Sequence, residues 1–343
     1  MMRTITAYDI CHIGEKLYCV CNEFNALVRY DCLKRKNEFV GRIPDEQLYA
    51  KSLFSKIIHY DDKMVFIPLF AQKIWIYDYI NNEWQGIEIE NPDCGDKFMQ
   101  AVVCGNVVYI LPYKYNKMLK LNLSNYELEY VEIDEPKCEL EKKIYFRSDI
   151  VIKNNRIYAA YGSGDYVFEF DLVSEKCNWV RIGTGCSGYS GIAWDGRRFW
   201  LASRTEEKPI KVYSWDNTIY NEIEVEDYGN EFVRGIFYDD GHVFLRKNTR
   251  TIEIDINSLE VSSEDKEAYF FLKKDDIYSA LTYNGKYVYY DDRKKEIDLK
   301  VSDEDVKVFF KNYVIKDDKN YFTEKGIVQE NSLINLEAFL IGI

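Results

Sequence analysis

Histidine and proline are scarce in this chain, with three His and six Pro among 343 residues. So few imidazoles, scattered along the chain, do not suggest a His-rich metal centre or a repeated imidazole base. So few prolines leave almost nothing to interrupt a sheet. Positive charge is also short: 45 Lys and Arg stand against 58 Asp and Glu, for a net charge of −13. That field repels phosphate backbones and anionic lipid heads, so neither nucleic acid nor membrane is an expected partner. No run of eighteen apolar residues occurs, and MMRTITAYDICHIGEKLYCV lacks the basic-then-apolar order of a secretory leader. The nine cysteines (11, 19, 21, 32, 94, 104, 138, 177 and 186) are odd in number and scattered. They suggest reduced thiols and a cytoplasmic location, not a disulfide framework.

Aromatic residues, by contrast, reach 16%, with 29 Tyr, 19 Phe and 6 Trp. Such side chains pack well on a pleated surface, and an all-β fold is the natural expectation. A repeat then specifies which one. An apolar strand, a tight turn and a second strand rich in aromatics recur as ICHIGEKLYCVC, IIHYDDKMVFIP, AVVCGNVVYILP, IVIKNNRIYAAY, IAWDGRRFWLAS, IFYDDGHVFLRK and LTYNGKYVYYDD. The second-strand aromatics Tyr18, Phe66, Tyr109, Tyr158, Trp200, Phe244 and Tyr289 follow one another at intervals of 42 to 49 residues, the length of a propeller blade. Turns such as Asp61-Asp62, Gly105-Asn106, Asn154-Asn155, Asp195-Gly196, Asp240-Gly241 and Asn284-Gly285 use residues that tolerate positive φ. A third strand ending in an apolar-Asp pair (VRYD, WIYD, FEFD, IEID) and a polar outer strand complete each unit.

The expected fold is therefore a single all-β domain over residues 1–343, a β-propeller of about seven four-stranded blades, with six or eight also compatible. Residues 311–343 form its closing C-terminal segment. There, NYVIKDDKNYFTE could form a further hairpin, and Ser332 could cap a short helix with Leu333, Leu336 and Leu340 on one face. IWIYDYINNEW, with Tyr77 and Trp84 separated by six residues, resembles the kelch motif, although the paired glycines of kelch repeats are absent. GIAWDGRRFWLAS resembles the degenerate repeats of bacterial quinoprotein-like and surface-layer-like propellers. Both resemblances imply fold alone.

No catalytic constellation is legible. His12, His59 and His242 fall in different units, and Cys19 and Cys21 lack zinc-ligand spacing. The short loops Gly162-Ser163-Gly164 and Gly183-Thr184-Gly185 lack the helix that a phosphate cradle needs. No metal and no cofactor are expected. In a propeller, the residues entering each first strand and leaving each second strand meet around the central channel. Aligning the units gives a polar column there: Tyr8, Ser55, Met99, Ser148, Ser190, Arg234 and Ser279, flanked by Asp9, Lys56, Gln100 and Asp149 and preceded by Arg147, Tyr189 and Tyr278. Its polarity suggests access for water or a ligand.

Arg204 and Arg246 join that rim from second-strand exits, so arginines gather on units four to six of an acidic chain. Planar guanidinium forks there suit a carboxylate or phosphate. The expected site centres on Arg147, Asp149, Tyr189, Arg234 and Tyr278, with Lys56, Gln100, Arg204 and Arg246 at its margin. The expected function is non-enzymatic binding of a protein, peptide or anionic small molecule. The alternative is an enzyme acting on a sugar or sugar acid, using Asp9 or Asp149 as acid or base.

Overall fold

The computed structural model describes residues 2–134, 136, 145–183, 188–204, 209–226, 231–247, 250–264, 270–274, 277–281, 286–290 and 295–314. Among them are seven four-stranded antiparallel sheets, each with its strands in chain order: sheet one between residues 10 and 41, two between 54 and 88, three between 98 and 132, four between 146 and 181, five between 189 and 225, six between 235 and 264, and seven between 270 and 298. The first strands of sheets one to six lie side by side, and those of sheets four and six approach each other past sheet five. Apolar side chains fill the gaps between consecutive sheets. Tyr158, Phe199 and Trp215, for instance, close the gap between sheets four and five. This is the architecture of a β-propeller, in which each sheet buries both faces against its neighbours.

The aromatic markers explain much of that packing. Tyr18, Phe66, Tyr109, Tyr158, Trp200 and Phe244 all occupy second strands. Tyr289 departs from the series. It lies in the third strand of sheet seven, because the segment Phe270–Lys274 supplies a first strand that the repeat spacing did not reveal. Tyr77 and Trp84 face each other in register across the third and fourth strands of sheet two, with rings stacked 4.4 Å apart. The six intervening residues are thus a turn that returns one ring over the other.

The apolar-Asp pairs have a local cause. Asp31, Asp78, Asp171 and Asp255 each end a third strand and accept backbone N–H groups two and three residues on, as Asp171 does from Val173 (3.0 Å) and Ser174 (2.9 Å). Asp216 does the same in sheet five. These are Asx turns, and they turn the chain into the outer strand. The residue four places after the aspartate takes a left-handed conformation, at Arg35, Asn82, Glu175 and Leu259.

The donated N–H groups pull the Asp171 and Asp216 carboxyls from the ordinary 3.8 down to about 2. A pKa depressed by folding adds stability above the unfolded value. That contribution is lost as pH falls from about 4 toward 2. Unfolding by urea at stepped pH should therefore show a shallower acid loss in the Asp171→Asn, Asp216→Asn double variant than in the native chain. Asn122 holds the same position in sheet three and accepts from Ser124 N, so asparagine is compatible with the turn.

A helix, Asp303–Val314, lies against the outer strand of sheet one. Its Phe309 and Phe310 rings pack with Phe24, Phe39 and Tyr49. Here the expectation of a hairpin from residue 312 is corrected, because Asn312–Val314 form the last turn of this helix. Its start is fixed by Ser302, whose hydroxyl accepts from Asp305 N at 3.0 Å and donates to the Asp305 carboxylate at 2.6 Å. This reciprocal cap, followed by an acidic first turn, is favourable at a helix N-terminus. The proposed cap at Ser332 and the rest of the closing segment from residue 315 lie outside the described residues. Immediately before the helix, Lys300–Ser302 pair with Met2–Thr4.

Candidate functional site

The channel rim is built by backbone geometry first. At the first-strand entrances of sheets two to five, a carbonyl accepts the N–H that leaves the second strand. Leu53 O takes Leu69 N, Lys97 O takes Tyr113 N, Tyr145 O takes Gly162 N and Gly188 O takes Arg204 N, all within 2.7–2.8 Å. The exits pass the chain of bonds to the next sheet, through Lys97 N to Leu69 O and Tyr145 N to Tyr113 O, each at 2.9 Å. Between sheets four and five the backbones approach closely at a glycine. Gly188 has φ +118°, and a Cβ there would sit 2.2 Å from Gly162 O.

Just inside this belt, the first strands bulge. Register slips by one residue at Ser55, Met99 and Ser190, and by two between Phe146 and Ile150. An unpaired extra residue re-aims its side chain and bends the strand. This corrects one inference from the sequence. The column is polar not because solvent bathes all of it. Ser55 and Ser190 are buried and their hydroxyls donate to Ile67 O (3.4 Å) and Val233 O (2.6 Å). The wider bulge of sheet four also means that Arg147, not Ser148, is the counterpart of Ser55 and Ser190.

Three arginines converge on this rim. Burial, then the like charge of Arg147 and, more weakly, of Arg234, hold the Arg204 guanidinium below its ordinary range, with Tyr113 acting in the opposite sense. Phe232 neighbours two of them, its ring centroid 6.0 Å from the guanidinium carbons of both Arg204 and Arg234. Arg246 is buried and donates from Nη2 to Arg234 O at 3.3 Å. It can do so because residue 235 is glycine, where a Cβ would lie 3.0 Å from that nitrogen. Arg147, Arg204 and Arg234 are half-buried, while Arg246 supports the backbone that carries Arg234.

The other expected residues are placed differently. Tyr189 is 1% exposed, donates its hydroxyl to Ile182 O and meets Tyr213 edge-on at 5.9 Å. It is core, packed with Phe199 and Tyr213 in the gap between sheets four and five. Tyr278 lies in the second strand of sheet seven, not at a first-strand entrance, and its side chain is outside the described residues, as is that of Asp149. Lys56 and Asp9 pair at 3.9 Å, and Asp9 also accepts Ile57 N at 2.8 Å. Asp9 thus ties sheet one to sheet two and is not presented to the channel as an acid or base. Gln100 sits half-buried one residue inside the bulge of sheet three.

Sequence alignment missed Tyr113 and Phe232. Tyr113 could have been found, since it leaves its second strand at the place where Arg204 leaves the strand in sheet five. It also missed two buried charges at the rim. Burial lowers the pKa of Lys97 and raises that of Glu46, although Glu46 accepts Gln72 N (2.8 Å) and Trp75 Nε1 (3.2 Å). The thiols of Cys19 and Cys21 are fully buried, and burial pushes Cys19 up to about 12, so neither is a nucleophile at neutral pH. Among the described residues no His, Cys, Asp and Glu group has the arrangement of a metal site, and no helix is long and apolar enough to cross a membrane.

The sequence matches no family model and no curated protein. Solved structures do resemble it. The Kuenenia stuttgartiensis hydrazine synthase aligns over 86% of this chain and 97% of its own, with TM-score 0.61 and 10% identity. The Neurospora crassa Pan2 WD40 domain aligns over 86% and 91%, with TM-score 0.58 and 11% identity. The BT4673 extracellular domain of B. thetaiotaomicron aligns over 84% of this chain at TM-score 0.59 and 10% identity, and this chain spans only 38% of that one. What these likenesses establish is a β-propeller fold.

Proposed function

We propose that this propeller is a non-enzymatic binding module of the cytoplasm, holding a carboxylate- or phosphate-bearing small molecule or peptide at the rim of sheets four to six. The convergence of Arg147, Arg204 and Arg234 carries this reading. Like charges are brought together at a cost in a chain whose net charge is −13, and a bound anion would offset that cost. The Phe232 ring beside two of these guanidiniums adds an aromatic surface to the same rim. Buried thiols fit a reducing compartment.

Calorimetric titration with citrate, inorganic phosphate and an acidic peptide tests the reading. Charge-assisted hydrogen bonds contribute about 1.5–3 kcal/mol each. The Arg147→Ala, Arg234→Ala double variant should therefore lose about a hundredfold in affinity or more. Its urea midpoint should stay near that of the native chain, since half-buried rim side chains contribute little to folding. Undiminished binding in the double variant sinks the proposal.

A further inference from the structure

Aromatic side chains bury well against one another, and many rings of this chain do so. In sheet four, for instance, Phe146, Tyr161 and Phe168 surround Trp179 at centroid distances of 5.1–6.0 Å. Two rings at the arginine rim depart from that habit. Tyr113, just past the second strand of sheet three, and Phe232, two residues before Arg234, are half-buried. Neither belongs to a hydrophobic cluster between the sheets, and neither meets another aromatic ring among the described residues.

The neighbours of both rings are cations. Phe232 has the guanidinium carbons of Arg204 and Arg234 at 6.0 Å from its centroid, and Tyr113 has the Lys114 ammonium at 5.7 Å. Lys114 is itself paired with Asp96. The Tyr113 hydroxyl donates to no acceptor among the described residues. Backbone bonds put Tyr113 and Arg204 in equivalent places, since Tyr113 N reaches Lys97 O and Arg204 N reaches Gly188 O, both at 2.7 Å. The two residues thus leave the same level of the rim from sheets three and five, and the sheet that carries Arg147 lies between them.

Such a rim offers two kinds of contact at once. Guanidinium groups donate in a planar fork to an acid and also stack on the face of a ring. A ring outside the core has apolar area still to bury. A bare anion would meet the arginines and leave that area wet. A guest with a flat ring close to its acidic group would use both, with the acid on the guanidiniums and the ring against the aromatic wall.

We infer that the anion rim selects an aryl acid, a small molecule whose carboxylate or phosphate is carried on an aromatic ring, and that Phe232 and Tyr113 determine this specificity. The inference rests on the anion-binding reading above and narrows it. Arg147, Arg204 and Arg234 hold the acid, and Phe232 and Tyr113 supply the wall for the ring.

Calorimetric titration with two matched pairs tests it: phenyl phosphate against methyl phosphate, and benzoate against acetate. The native chain should bind the aryl member of at least one pair about tenfold more tightly, the gain expected when a ring is buried against aromatic and guanidinium partners. The pair that shows the gain identifies the acid as phosphate or carboxylate. In the Phe232→Ala, Tyr113→Ala double variant the preference should fall to about twofold or less. Its affinity for the methyl compound of that pair should stay within about twofold of the native value, and its urea midpoint should be retained, because neither ring is part of the core. Failure of all four compounds to bind removes the anion rim itself, and this inference with it. Binding without aryl preference, or a double variant that keeps the preference, overturns the inference and leaves the anion rim standing. A double variant that loses the methyl compounds along with the aryl ones also overturns it, because the rings would then shape the arginines and not select the guest.

Discussion

Gly188→Ala is expected to lower the unfolding free energy by about 3–5 kcal/mol, the range in which a strained backbone and a hard steric conflict add. The φ of +118° is a conformation that side chains rarely adopt, and a methyl group would enter the backbone of residues 162–163, 2.2 Å from Gly162 O and 2.8 Å from Ser163 N. Neither contact involves a side chain that could rotate away. The belt between sheets four and five must open, and with it the bond from Arg204 N to Gly188 O. The variant should therefore weaken anion binding as well as stability. Gly164→Ala is the control, since a Cβ there meets only Tyr161 and Tyr166 at ordinary distances of 3.4–3.5 Å. Urea unfolding of the two variants side by side decides the matter. Equal, small losses in both would show that the close approach at Gly188 is not structural.

The second large effect lies at Asn25, which is completely buried. Its amide accepts Ile43 N at 2.9 Å and donates to Ile43 O at 2.9 Å and Glu46 O at 3.1 Å. Ala at this position would strip partners from one buried N–H and two carbonyls, at about 1–3 kcal/mol for each group left unsatisfied. A total loss of about 3–5 kcal/mol is expected, since the segment can relax enough to recover part of the sum. The loss should extend beyond sheet one. Glu46 holds Gln72 N and Trp75 Nε1 of sheet two, so releasing residues 43–46 unties two sheets at once. Asn25→Ala should show both a lower urea midpoint and faster proteolytic cleavage near residues 43–50. An unchanged midpoint would mean that water replaces the amide at no cost.

Buried polar anchors of this kind are invisible in a repeat alignment, because Asn25 and Glu46 fall in connecting segments that differ from unit to unit. The rim is a different case. Arg147, Arg204 and Arg234 were legible because equivalent positions converge on a propeller axis and because arginine contrasts with an acidic chain. Tyr189 was misplaced for a local reason. One extra residue in the first strand shifts the register there and lets Tyr189 and Ser190 both be buried, and a bulge leaves no mark in composition. Ser55 and Ser190 looked solvated for the same reason, yet each hydroxyl satisfies a backbone carbonyl.

By itself, then, the sequence determined the β-propeller. Its aromatic strands, positive-φ turns and Asx corners recur at blade-length intervals, and each acts through neighbours close in the chain, where pattern is physics. Tertiary structure alone decided which polar residues share a surface. The arginine cluster and the Gly188 contact each join residues of different sheets. Their distances depend on how far one sheet is rotated and bulged against the next, and that is set by packing across the gaps rather than by spacing along the chain.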